Sequence, residues 1–369
     1  MFPQAFKGIE RSIKIADFYN CLFQAFDHDS EIFIPIEKRK QIKPYLWIGL
    51  HAVHLVCQVI STLTKSTDLI HMVAGLTLTG ANLFGFFMLC DISRDPTPSQ
   101  LLNYIAARKE KDGLISKCLA ILVYFFYAGG LLVPIFVGVL SIIWPCFPSL
   151  FSSLLCHLDG NNSQLWRWTQ AGLAIFEFIL YRTLCLSGIH YAISTAGTSM
   201  AALWLDCKKL LINSTIFIRN NDYRYRDDEF TRYSNLKVFE KIVNSCVKDR
   251  IFLTLALVGP LLQVLVGFSI IKIGHFPNPV IIIGLLIIYV AILTMTMSYF
   301  SVAAHLNRIS IGWMNRQKEI CVRKEDRKRL RATTSIRVEF GNNFVEALTP
   351  LVVQEFCIHN TVSLLLLTN

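Results

Sequence analysis

IFLTLALVGPLLQVLVGFSII, residues 251–271, carries no charged side chain over the length that a helix needs to cross a bilayer. About 20 apolar residues, each rising 1.5 Å, span roughly 30 Å of hydrocarbon. Six further segments are predominantly apolar over a similar length: Tyr45–Thr64, Asp68–Cys90, Ile115–Trp144, Trp166–Leu205, Pro279–Val302 and the slightly short Leu351–Leu367. The expected fold is all-α, a multi-pass membrane protein with seven transmembrane helices. A composition of 53% hydrophobic and 17% charged residues argues against a soluble domain.

Charge sets the expected orientation. Of the 36 Lys and Arg residues, 31 fall in Met1–Pro44, Asp91–Leu114, Asp206–Arg250 and Ala303–Pro350. The alternate loops hold only Lys65, Arg167 and Lys272. The bias predicts a cytoplasmic N-terminus and, with seven spans, an extracellular C-terminus. A G-protein-coupled receptor has the opposite orientation, so the charge pattern argues against that class. The net charge of +10 calls for no nucleic acid, because basic loops face an anionic inner leaflet. No cleavable signal peptide is apparent in the first 40 or so residues, which lack a continuous apolar run.

Two regions follow. Residues 1–44 read as a cytoplasmic N-terminal segment with an interfacial helix, since Phe6, Ile9, Ile13, Ile15 and Phe18 alternate with Lys7, Arg11 and Lys14. Residues 45–369 read as the membrane domain, with cytoplasmic helices in 206–250 and 303–350. Leu236, Phe239, Ile242, Val243 and Cys246 recur at helical spacing, with Lys237, Glu240, Lys241 and Asp249 opposite. Span six continues through Leu306, Ile309 and Trp313. The run Arg323–Arg329 reads as a loop that is mobile or faces headgroups. In the outer loop 145–165, Cys146 and Cys156 either form a disulfide or stay as two thiols, and Asn161 begins a glycosylation sequon. A second sequon at Asn213 falls in a loop placed inside.

The last span differs from the others. Pro350 is expected to divide a cytoplasmic helix from a membrane helix. Beyond it, Gln354, Glu355, His359, Asn360, Thr361, Ser363 and Thr368 interrupt the apolar run. Polar groups at that depth need water or protein beside them. On a helical net Gln354, Ile358, Thr361, Leu365 and Thr368 form one stripe. It reads either as a hydrated path with an apolar constriction or as a helix–helix seam.

Seven spans with the N-terminus inside, large helices before spans five and seven, and a chain that stops at the close of span seven resemble the insect-type chemoreceptor family of odorant and gustatory receptors. That family commonly closes span seven with Thr-Tyr, five apolar residues and Gln-Phe. Thr361–Asn369 keeps the Thr and most of the apolar run but lacks the Tyr, Gln and Phe, as in a divergent member. The resemblance implies a ligand-gated cation channel in the plasma membrane, opened by a small organic odorant or tastant. It further implies a homo- or hetero-tetramer, with or without a co-receptor subunit, and no cofactor. The seventh spans would surround the pore, with Leu365 at the gate and Thr368 beside it.

Members of the family hold ligands among spans two, three, four and six. By projection the ligand residues here would be His71, Phe136, Trp168, Phe176, Glu177, Tyr181 and Tyr289, with Met72, Val133 and Ile287 nearby. Glu177 is the only acidic residue deep in spans three to six. It reads either as a ligand or cation contact or as a carboxyl held by neighbouring helices.

Two other classes share seven spans. An intramembrane metal-dependent hydrolase would draw on His51, His54, Asp68 and His71. However, His54 and His71 differ in depth by roughly 10 Å, too far for one zinc ion, so no metal site and no enzyme is expected. A carrier would need a mid-membrane polar site at broken helices. Pro134, Gly129-Gly130 and Pro260 offer kinks, but few charges accompany them.

Overall fold

The structure, a computed structural model, describes residues 3–27, 29–66, 69–90, 96–107, 114–155, 164–217, 223–249, 251–273, 279–320 and 323–368. The chain opens with α1 (Pro3–Tyr19) and an antiparallel ribbon of β1 (Gln24–Asp27) and β2 (Ile32–Pro35). Then come α2 (Ile42–Lys65), α3 (Leu69–Leu89), α4 (Thr97–Ala106), α5 (Leu114–Ile143), the short α6 (Phe151–Leu155) and α7 (Gln164–Ile189). A π-helical stretch, His190–Gly197, carries α7 into α8 (Thr198–Phe217). The rest is α9 (Tyr223–Val247), α10 (Ile251–Ile273), α11 (Pro279–Ile320), α12 (Lys324–Ala332), a ribbon of β3 (Glu339–Phe340) and β4 (Asn343–Phe344), and α13 (Thr349–Leu367). Among the described residues seven helices are long and apolar enough to cross a membrane: α2, α3, α5, α7 with α8, α10, α11 and α13.

The membrane leaves its mark on how α2 is turned. Its polar residues His51, His54, Gln58, Ser61 and Thr62, at helical spacing, are buried, while Val53, Val56, Ile60 and Leu63 are exposed. A soluble helix buries the opposite face. Hydrocarbon accepts the valines and leucines, and the interior must satisfy the polar groups.

The apolar stripe expected of an interfacial N-terminal helix packs against protein. Ile9, Ile13 and Ala16 are buried in the main core, and α1 packs against α5 with Gly8 beside Val123 and Tyr124. Its apolar stripe is matched by protein, which leaves Phe18 exposed. The following ribbon docks on α4, where the Asn103 side chain accepts from Phe33 N at 2.7 Å and donates to Phe33 O at 2.8 Å.

At the basic end, α8, α9 and the tail of α11 build a helical layer. Tyr233 of α9 stacks on Trp313 of α11 with centroids 4.1 Å apart. Its hydroxyl lies 2.7 Å from Ser310 Oγ and donates to Thr334 O at 2.9 Å. Three expectations are corrected here. Arg323–Arg329 forms most of α12 rather than a loop, because Asp326 and Leu330 turn inward while the basic side chains point out. Glu240 is not on the solvent face of α9. Its side chain is buried, pairs with Lys237 and accepts from Arg337 N at 2.7 Å. Burial raises its pKa above the usual carboxylate value, and Lys237 and the Arg337 amide work against that shift. No helix runs up to Pro350 either. Residues 333–338 belong to no helix or strand, and the β3–β4 turn uses Gly341 at φ +54°, a conformation open to glycine. Pro350 sits in the first turn of α13, where its missing N–H costs nothing.

Candidate functional site

A cavity of about 460 Å³ opens between α3, α5, α7, α10 and α11. Small residues make the room: Gly85 on α3, Gly129 and Gly130 on α5, and Gly188 on α7 all line it. A Cβ added at Gly129 would meet no atom within 4 Å. Phe84, Phe126, Met88 and Met295 supply aromatic and thioether surface. No charged side chain lines the cavity. This volume and lining suit a small organic molecule.

Behind one wall runs a buried polar chain. Tyr181 of α7, which lines the cavity, accepts from Gln58 Nε2 at 2.7 Å. Gln58 Oε1 accepts from Asn82 Nδ2 at 2.6 Å, and the same Asn82 nitrogen lies 3.2 Å from His54 Nδ1. His54 stacks on Phe151 at 4.8 Å, and His51 Nε2 lies 3.1 Å from Thr183 Oγ1. Both histidines are therefore held within the helix bundle. Among the described residues no three His, Cys, Asp or Glu side chains are placed to hold a metal ion. Gln58 and Asn82 were not singled out from the sequence, although the His51, His54, Gln58, Ser61 stripe was visible as polar positions at helical spacing in an otherwise apolar helix.

The projected ligand residues separate. Tyr181 lines the cavity, with Val133 and Ile287. Glu177 does not. Its Oε1 accepts from Phe151 N at 2.5 Å, so the carboxylate holds the start of α6. Phe176 packs on Phe151 at 5.5 Å, beside that anchor. Phe136 fills the space against Gly284, and His71 meets Trp144 edge-on at 6.3 Å. Tyr289 packs between α10 and α11 near Gly267. Trp168, 71% exposed, lies on the outer surface of α7 and is not among the residues that line this cavity. Arg182, adjacent to Tyr181, donates to Gly130 O at 2.7 Å and braces α7 against α5.

The seventh span, α13, touches only one side of the bundle, packing on α10 and α11. The predicted stripe divides on this contact. Gln354 accepts from Gln263 Nε2 at 2.7 Å, Thr361 lies against Gly267, and the Thr368 carbonyl accepts from Lys272 at 3.1 Å. Ile358 is 63% exposed and Leu365 half-buried, so these two form the edge of the contact. Glu355 and His359 are also exposed, on the face turned away from α10.

Cys146 is in a disulfide. Its expected partner Cys156, with Asn161, lies outside the described residues. Asn213 lies within α8, in the helical layer.

No protein-family model and no curated protein sequence matches this chain. Solved structures do. The insect olfactory receptor OR5 from Machilis hrabei in complex with eugenol superposes with a TM-score of 0.69 at 13% identity, covering 99% of each chain. A second structure of the same receptor gives 0.68 at 12% identity, over 98% of this chain and 97% of that one. The chain is thus a seven-helix membrane protein with the fold of an insect olfactory receptor.

Proposed function

We propose that this protein is a chemosensory receptor of the plasma membrane, a ligand-gated cation channel opened by a small organic molecule that binds in the cavity between α3, α5, α7, α10 and α11. The observation that carries the reading is that cavity: lined by five membrane helices, apolar, and large enough for an odorant-sized guest. The fold neighbour described with eugenol supports a small organic ligand.

In this reading four copies, alike or mixed with a co-receptor, surround an axis lined by α13, and the basic end faces the cytoplasm. The wide exposed face of α13 supports the arrangement, because Glu355 and His359 cannot face hydrocarbon at low cost. The edge bearing Ile358 and Leu365 would carry the constriction. Whole-cell recording during application of an odorant panel tests the proposal. Ligand-evoked cation current that is absent from untransfected cells is expected, and ligand uptake without current would identify a carrier.

A further inference from the structure

Exposure is distributed unevenly around the cavity. Its back, on α3, α7 and α10, is packed: Met88, Leu184 and Leu262 are each at most 3% exposed. Its front is formed by α5 and α11, where the lining residues Phe125, Leu132, Leu286, Ile287 and Val290 are 38–52% exposed. These residues lie inside the membrane spans of the two helices. A side chain that borders a cavity and is also half exposed stands at its rim, so the cavity opens sideways, toward hydrocarbon. Gly129 sits between Phe125 and Leu132 on the same face of α5, and a Cβ there would meet no atom within 4 Å. One on the next residue, Gly130, would run into Ile189.

Neither end of the cavity offers an equal path from water. At the end where α5 stops and α11 starts, the Phe136 ring lies against Gly284, and Leu140, Phe147 and Leu285 pack in a buried apolar cluster. Toward the basic end, Met88, Phe126 and Met295 belong to the main core. A guest moving along the membrane normal would have to displace packed side chains, and one arriving through the bilayer would not.

We propose that the cavity fills from the bilayer, through the rim between α5 and α11, and that its ligands are neutral molecules that dissolve in hydrocarbon. This rests on the reading of the cavity as the ligand site. Every rim side chain is apolar, so a charged guest would shed its hydration with nothing in return. Sugars and amino acids, which stay in water, are not expected as ligands.

The experiment uses the full chain in lipid nanodiscs with trifluoromethylbenzene, whose fluorine resonance reports the lipid-dissolved and protein-bound populations and the rate of exchange between them. A protein-bound resonance is expected, and Cys185→Phe, which fills the cavity from its back wall, is expected to remove most of it. Leu132→Trp and Val290→Trp crowd the rim from opposite helices and are expected to slow exchange about fivefold. Ile175→Trp, exposed on α7 and outside the lining, is expected to keep the exchange rate within about twofold. If no bound resonance is seen, or Cys185→Phe leaves it intact, the cavity is not the ligand site and the broader reading falls. If the bound resonance behaves as expected but neither rim variant slows exchange more than Ile175→Trp does, the bilayer route alone is overturned. Rim variants at exposed positions on separate helices keep the test decisive should one fail to fold.

Discussion

Gln263 of α10 and Gln354 of α13 meet amide to amide, with Gln354 Oε1 accepting from Gln263 Nε2 at 2.7 Å. It is a side-chain tie within the membrane between the last helix and the rest of the bundle. Interhelical hydrogen bonds of this kind contribute about 0.6–2 kcal/mol, and a lone glutamine left in hydrocarbon adds a penalty of its own. Gln354→Leu should therefore lower the unfolding midpoint in nanodiscs, and the double replacement Gln263→Leu with Gln354→Leu should recover part of the loss. A double variant that loses the full sum of the two single effects would show that the amides do not act as a pair.

Two of the aromatic residues projected as ligand contacts carry opposite expectations. Tyr181→Ala removes a cavity wall and should shift agonist concentration dependence about tenfold, for a loss of roughly 1–2 kcal/mol of contact. Trp168→Ala, on the outer surface of α7, should leave it unchanged at normal surface expression. A shift at Trp168 equal to that at Tyr181 would mean the ligand binds on the outer surface of α7.

Glu240 offers a pH test outside the membrane segments. Its pKa in the folded protein is raised by burial, so the folded state favours the protonated carboxyl relative to the unfolded chain. The stability linked to this group is fully present below the unfolded carboxylate pKa and is lost as pH rises through the raised folded value. Glu240→Gln keeps an acceptor for Arg337 N and should flatten that acid-side dependence. Glu240→Ala removes the acceptor and should cost about 1–3 kcal/mol at any pH. A Gln variant with the native pH profile would assign the dependence to another group.

Topology rests on the distribution of 31 of 36 basic residues and is tested directly. An N-terminal tag should be reachable by antibody only after permeabilisation, and a tag following the last residue should be reachable on intact cells. The reverse staining would place the α9 layer outside.

Much of this was legible in the sequence because bilayer length is a strong constraint: each of the seven predicted spans overlaps a membrane-length helix. The failures share a cause. Whether the Ile9–Ile13 stripe meets lipid or α5, and whether Trp168 points in or out, depends on which neighbour occupies each face, and apolar surface looks the same in either case. Glu177 was conspicuous as a carboxylate at depth, yet its partner is a backbone amide, Phe151 N, which no side-chain pattern announces. The Gln58–Asn82 contact joins two helices whose relative rotation is set only by packing.

On the proposed channel reading, with α13 facing the axis, the gate falls on an edge of that helix. Gln354, Thr361 and Thr368 face α10, so the half of the stripe free to approach an axis is Ile358 and Leu365. An apolar ring at Leu365 would close a narrow pore by dewetting, and a polar side chain there should stabilise the wet state. Leu365→Ser or Leu365→Gln should therefore raise basal cation current without agonist. Leu364→Ser, rotated about 100° around the helix, should raise it much less. The measurement is basal current normalised to surface protein. Equal effects at the two positions, or a larger one at Leu364, would move the pore to the other flank of α13.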